Sequence, residues 1–299
     1  MLESKLVSSE GMELFKNFVE EVYKKAEEQK KVFEDVLSTI NVKKFKANRR
    51  WALKVLRGVK VVGVDGSQIT PLREFGIPAG AVQVASYVVE HGLGNWEVRY
   101  VSKLVKLEEN IDAVRYSMEM QSIVKNMDSK SYVFYDGSFS PSFAKELKPE
   151  IGRRYVESAR KALKKSEETK TPLFGYTDRS YAKDIAKKCG IDVYDSFLLS
   201  GMEYMSYTEP LRSGKLCYCY AKFSPSLPSR IEFPCWMEKN FDSMLKVVCA
   251  ECLLGSTLAY PFVLERAHKY AVISERERRA IVESIGHSNL SFKWISKRR

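Results

Sequence analysis

Two short stretches of the chain repeat one arrangement, an apolar β-rich run that ends in Asp-Gly-Ser. The first is Val59-Lys60-Val61-Val62-Gly63-Val64-Asp65-Gly66-Ser67 and the second is Tyr132-Val133-Phe134-Tyr135-Asp136-Gly137-Ser138. A carboxylate just past the end of a buried strand stands on a rigid rim, and glycine lets the backbone turn away beneath it. If the two strands lie side by side, Asp65 and Asp136 converge. Like charges held that close repel, so a cation between them is the natural resolution, and oxygen ligands suit Mg²⁺ or Mn²⁺. Asp-Gly is also an ordinary turn dipeptide; its repetition after two such runs is what points to a metal site.

Three further residues extend the set. Glu119 lies on a predicted helix that feeds the second strand, with Arg115 one turn earlier and able to steady it. Near the end of the chain, Tyr260-Pro261-Phe262-Val263-Leu264-Glu265-Arg266-Ala267-His268 brings a tyrosine and one of three histidines into one segment. Imidazole can ligate a metal or move a proton, although a buried structural histidine is the commoner case. His91, in a turn-like His-Gly-Leu-Gly context, and His287 attract no role.

The charge balance narrows the partner. The 299 residues carry 49 Lys+Arg against 38 Asp+Glu, a net charge of +11, and 12% aromatic residues. Cations neutralise phosphates and aromatic faces stack on unpaired bases, so nucleic acid leads over an anionic membrane or a small nucleotide. No Gly-x-x-x-x-Gly-Lys loop is present, which weighs against nucleotide hydrolysis. Met1-Leu2-Glu3-Ser4-Lys5 carries charge where a signal peptide has its apolar core, so a cytoplasmic location is expected. The longest apolar stretch, from Val247 to Leu264, is interrupted by Glu251 and Pro261 and does not read as a membrane span. Six cysteines, at 189, 217, 219, 235, 249 and 252, leave a thiolate metal site or a disulfide open. Cys249 and Cys252 fall in a helical pattern, where buried thiols serve as small hydrophobes.

The elements that must position these residues follow from periodicity. Leu14, Phe15, Phe18, Val22, Ala26, Val32, Phe33 and Val36 recur at helical spacing and predict a long amphipathic helix, or a pair, over 10–40. Its apolar stripe either packs on the core or meets a partner chain. Lys43, Lys44, Lys46, Arg49, Arg50, Lys54 and Arg57 then surround Trp51, read as a solvated linker or a phosphate-contacting stretch. Strands at 59–65, 81–90 and 97–106 form an antiparallel meander. A helix over 110–127 leads to the second Asp-Gly-Ser strand. Helix 149–168, strand 172–176, helix 180–189 and a short strand near Val193 suggest parallel additions. Strands near 216–223 and 230–234 precede helices at 240–257 and 274–285. The expected fold is α/β: a ribonuclease-H-like mixed sheet, an antiparallel meander plus parallel strands, flanked by helices. Residues 1–57 read as a helical, basic extension and 58–299 as the main domain.

The order of Asp-Gly-Ser, an upstream helical Glu, a second Asp-Gly-Ser, and a terminal Tyr-Pro-x-x-Leu-x-x-Ala-His resembles the NurA family of DNA-end-processing nucleases over roughly Val59 to Glu283. The resemblance implies Asp65, Glu119, Asp136 and His268 as metal ligands, with Tyr260 completing the catalytic set. It also implies Mn²⁺ (with Mg²⁺ as the alternative), a homodimer, and a hexameric HerA-type ATPase as partner. The implied activity is 5′-to-3′ exonuclease action on single- and double-stranded DNA with single-strand endonuclease activity, in end resection for recombinational repair. The family's lysine after the next strand is missing; Arg179 or Lys183 is the candidate replacement. Asp195 is a second-tier candidate. A non-catalytic DNA-binding or scaffold subunit is the alternative reading, and the tail Phe292 to Arg299, like the long amino-terminal helix, is a candidate contact element.

Overall fold

Valine-rich alternation makes the centre of the molecule a sheet, and the computed structural model describes it within residues 9–70, 79–106, 108–256, 259–274 and 276–280. Helix α1 (Ser9–Ser38) leads to a short strand β1 (Val42–Lys44) and helix α2 (Arg49–Leu56). Three long strands follow, β2 (Lys60–Ile69), β3 (Ala79–Glu90) and β4 (Asn95–Lys106). Then come α3 (Ile111–Lys125), β5 (Ser131–Asp136), α4 (Pro149–Thr169) and β6 (Leu173–Thr177). Short helices α5 (Asp184–Lys188) and α6 (Asp195–Leu198) precede strands β7 (Ser206–Thr208), β8 (Leu211–Ser213), β9 (Leu216–Lys222) and β10 (Ser229–Pro234). Helices α7 (Phe241–Leu254) and α8 (Phe262–Ala271) follow.

The ten strands form one sheet in the order β1-β7-β9-β10-β6-β5-β2-β3-β4, with β8 on β9. β2, β3 and β4 pair antiparallel, whereas β2–β5 and β5–β6 are parallel. That is the ribonuclease-H-like arrangement, the first strand of the meander lying centrally with the later strands parallel to it. β10, β9, β7 and β1 extend the sheet on the far side by antiparallel pairing.

Period-two alternation sends side chains of each central strand to two different layers. Val62, Val64, Val133 and Tyr135 pack with Val114 and Ile123 of α3 and Tyr155 and Ala159 of α4. Val61, Phe134, Phe174 and Ile231 face the other way, onto Ala52 and Leu56 of α2, Leu245 and Val248 of α7, and Val263 and Ala267 of α8. α3 starts cleanly because the Asn110 side chain accepts the Ala113 N–H at 2.8 Å, an N-cap that fixes where the helix carrying Glu119 begins.

Several expectations are corrected. Near Val193 there is no strand; α6 starts at Asp195, and the strand next to β6 is the antiparallel β10. The helix expected over 180–189 is confined to Asp184–Lys188. β1, β7 and β8 are three residues each, too short for alternation to reveal. α8 is a helix that the sequence reading did not identify. The first Asp-Gly-Ser does not end its strand, since β2 runs on to Ile69 with Gly66 opposite Val84. Of the helix expected at 274–285, Ser274 is not helical and residues 276–280 are; residues 275 and 281–285, His287 and the tail from Phe292 lie outside the described residues.

The basic stretch is partly structural. Lys43 pairs with Asp242 at 3.0 Å and with Glu209 at 3.6 Å, and Lys44 with Glu203, as β1 docks on β7. Arg49, Arg50, Lys54 and Arg57 are exposed. On α1, Phe33 packs edge-on against Phe197, while Leu14, Phe15 and Phe18 are uncovered. Cys217 and Cys235 form a disulfide; Cys219, Cys249 and Cys252 are buried thiols filling the core. Among the described residues no helix is long and apolar enough to cross a membrane.

Candidate metal and active site

Strand register alone brings the two aspartates together. The last parallel pair between β2 and β5 is Val64 with Tyr135, so Asp65 and Asp136 are the next residues on each strand. There the strands part, and both carboxylates open on the layer that holds α8. Asp65 Oδ1 accepts the Gly66 N–H at 2.7 Å and Oδ2 meets His268 Nδ1 at 2.8 Å. Ligand atoms of Asp65, Asp136 and His268 all lie within 4.8 Å of one another. Tyr260, in the segment that enters α8, hydrogen-bonds Asp136.

α8 comes this close because β2 carries a glycine beneath it. A Cβ on Gly63 would stand 2.4 Å from the Val263 carbonyl oxygen, so any side chain there would lift the helix, and His268 with it. The segment before α8 is held by Tyr176 of β6, whose hydroxyl bonds the Ala259 carbonyl at 2.5 Å and whose ring packs edge-on against Tyr260.

Glu119 approaches from the other layer. It is 1% exposed, accepts hydrogen bonds from the Tyr135 hydroxyl at 2.9 Å and from Arg115 at 3.1 Å, and lies behind Gly66. The Arg115 contact predicted from helical spacing is present. Gly66 is required here by close approach rather than by a turn, because its Cβ would sit 2.4 Å from Glu119 Oε1. Glu119 is therefore next to the three-donor cluster but not among the residues whose ligand atoms converge in it.

Burial dominates the electrostatics. It pushes Asp136 up to about 6, with the neighbouring Asp65 charge adding to the shift and the Tyr260 hydrogen bond opposing it. Glu119 is pushed up to about 7 by burial against the opposing Arg115 guanidinium. Asp65 is also raised by burial, with His268 and the Gly66 N–H holding the shift back. Burial, then Asp136, raises the Tyr260 phenol far above its ordinary range, so it remains a proton donor. Crowded, poorly solvated carboxyls are the condition that a cation relieves.

Other candidates lie elsewhere. Asp195 is fully buried and structural: it accepts the N–H groups of Asp184, Ile185 and Ala186 at the start of α5, and the Tyr220 hydroxyl at 2.8 Å. Lys183 is held by Asp192 at 2.6 Å, and Arg179 is exposed. Two residues escaped the sequence reading. Asp178, just past β6, accepts from Ser229 and adds a third strand-end charge felt by Asp136. Glu232 of β10 is 1% exposed, and its Oε2 accepts the Ser138 hydroxyl at 2.9 Å and the Phe139 N–H at 2.8 Å. It thereby clamps the loop that follows Asp136, while its Oε1 pairs with the buried Arg230. Its sequence signal was slight, an acid among Ser229, Arg230, Ile231 and Phe233 of a short strand.

Comparison with known proteins bears on the family and the fold. A family model described as the NurA domain matches residues 59–273. The chain superposes on a crystal structure of NurA bound to dAMP and manganese with a TM-score of 0.58 and 11% identity, covering 96% of this chain and 98% of that one. A second crystal structure of NurA gives a TM-score of 0.55 and 11% identity, covering 94% and 98%. At these identities the likeness is one of fold. No curated protein sequence matches the chain.

Proposed function

The chain belongs to the NurA family, and from that premise we propose that it is a divalent-metal-dependent DNA nuclease. The observation that carries this reading is the convergence of Asp65, Asp136 and His268 at the rim of a ribonuclease-H-like sheet, in a chain with a net charge of +11.

The donor set fits a divalent ion. Two carboxylates and one imidazole within 4.8 Å offer oxygen and nitrogen together, which suits Mn²⁺ better than the all-oxygen preference of Mg²⁺. Asp65, Asp136 and His268 would hold the ion, and a bound cation would favour the ionised form of Glu119 behind Gly66. When bound, such an ion acts as a Lewis acid on a phosphodiester and eases ionisation of water. The protein's own groups do the rest. Tyr260 keeps its proton and donates to Asp136, or to a phosphate oxygen that displaces it. Glu232 holds the loop after Asp136, so that carboxylate is presented on a fixed backbone.

The finer reading follows the resemblance: 5′-to-3′ exonuclease action, single-strand endonuclease activity, a role in end resection, a homodimer, and coupling to a HerA-type hexameric ATPase. The uncovered Leu14, Phe15 and Phe18 on α1 offer an apolar surface for a protein partner. End-labelled single- and double-stranded DNA, incubated with Mn²⁺, Mg²⁺ or chelator, tests the activity. Release of label from 5′ ends only with metal is the expected result. Cleavage that persists in chelator, or no cleavage under any condition, would overturn the reading; the latter would favour a scaffold role.

A further inference from the structure

A second buried acid–histidine pair lies outside the site. Glu251, near the end of α7, is fully buried, and its two oxygens go to different places: Oε1 shares a 2.5 Å hydrogen bond with His91 Nε2, and Oε2 accepts the Val263 N–H at 2.9 Å. Val263 is in the first turn of α8, where backbone N–H groups have no partner within the helix. The N-cap is Pro261, which has no side-chain oxygen to offer, so Glu251 caps α8 from another helix. A carboxylate there also meets the positive end of the helix dipole.

His91 in turn is fixed to the start of β2. Its N–H donates to the Val59 carbonyl, and its carbonyl accepts the Gly58 N–H at 2.7 Å. A polar circuit therefore leaves the beginning of β2, passes through His91, Glu251 and the first turn of α8, and returns to β2 where His268 meets Asp65. His268 is five positions after Val263, about 7.5 Å along the helix axis.

The circuit matters because the His268 side chain is 62% exposed and has little packing of its own. Its place is set by the helix. Val263, Leu264, Ala267 and Ala271 are fully buried and fix how deep α8 lies. Apolar burial is non-directional, however, and tolerates sliding and rotation that a hydrogen bond of defined geometry does not. We propose that the His91–Glu251 pair is the positioning element for His268, setting α8 along its axis on β2 so that the imidazole meets Asp65 at the spacing a divalent cation requires. The proposal rests on the metal-site reading above and adds to it the residues that hold its third donor in place.

The chain has three histidines, so the imidazole ¹⁵N–¹H spectrum of the metal-free full chain resolves His268 directly. In Glu251→Gln, the His268 resonances are expected to move toward those of Asp65→Asn. Mn²⁺ affinity should fall about 10- to 100-fold, as for other residues that orient a metal ligand. The turnover rate should fall with KM for DNA unchanged. Phe33→Ala, in a separate core cluster, serves as a control for general destabilisation and should leave the His268 resonances in place. A folded Glu251→Gln protein with wild-type His268 resonances and Mn²⁺ affinity would overturn the proposal, as would equal displacement of those resonances in Phe33→Ala. If Glu251→Gln does not fold, His91→Gln decides the matter by the same readouts. Should the wild-type protein cleave no DNA, the nuclease reading fails, while the metal-free spectra still decide the positioning role.

Discussion

His268 Nδ1 lies 2.8 Å from Asp65 Oδ2, joining residues 203 positions apart in the chain. If this contact belongs to a metal site, Asp65→Ala removes a ligand and abolishes cleavage, a larger loss than the roughly 10- to 100-fold that outer partners cost. DNA binding should be retained or tightened, because a negative charge has left a surface that receives a polyanion. Paired cleavage and filter-binding assays on the purified variant check both halves. Cleavage at the wild-type rate would remove Asp65 from the site.

Metal removal and pH should interact. The Asp136 carboxyl, pushed up to about 6, and that of Glu119, pushed up to about 7, keep their protons in the folded state at pH values where the unfolded chain has lost them. Their stabilising contribution is full below about pH 4 and is lost as pH rises through 6 to 7. Relative to Asp136→Asn, which keeps Glu119, the metal-free wild-type protein should therefore lose thermal stability between about pH 4 and 6. Mn²⁺ binds the ionised carboxylates, so its affinity should rise over the same interval and reverse the trend. Melting curves with chelator and with Mn²⁺ across that range read the sign.

Breaking the buried Arg230–Glu232 pair should cost more than replacing it. Both residues are at most 4% exposed, and Glu232→Gln leaves the guanidinium with only part of its compensation. A loss of about 3 kcal/mol is expected. The double substitution Arg230→Met with Glu232→Leu should recover much of that stability but little activity, since Ser138 and Phe139 would still lack the carboxylate that holds them. Denaturant unfolding and turnover, measured on the same samples, separate the two effects.

Gly63→Ala tests the seating of α8. The new methyl would meet the Val263 carbonyl, which is backbone and cannot swing aside. A destabilisation of about 1–3 kcal/mol is expected, with activity falling further than the stability loss explains because His268 is displaced. Wild-type turnover in a folded variant would show that α8 tolerates the shift.

The disulfide between Cys217 and Cys235 joins the start of β9 to the residue after β10, at the rim opposite Ser229 and the aspartates. Reduction should lower stability by about 3 kcal/mol for a loop of this length while leaving turnover at permissive temperature unchanged. Loss of turnover without loss of structure would place the disulfide in the catalytic apparatus instead.

What could be read in advance was whatever rests on local periodicity. The meander, α3, β5, α4 and β6 were all visible because each repeats its apolar residues at one spacing, and the doubled Asp-Gly-Ser marked the two central aspartates. What escaped depends on contacts distant in sequence. Gly66 looked like a turn residue, but its reason is a carboxylate on α3. Glu232 and Glu251 resemble surface acids until the strands and helices around them are assembled. α8 was hidden by Pro261, which reads as a break, although the proline stands at the cap where it is tolerated. Asp195 had the look of a strand-end ligand and turned out to cap a helix.

The span from Asp65 to His268 has a consequence for the life of the polypeptide. Two aspartates emerge early during synthesis, but the imidazole that meets Asp65 arrives only after β1–β10 and α1–α7 have been made. A nascent or clipped chain lacking α8 holds an incomplete set of donors, so under the proposed activity cutting begins only once α8 has docked.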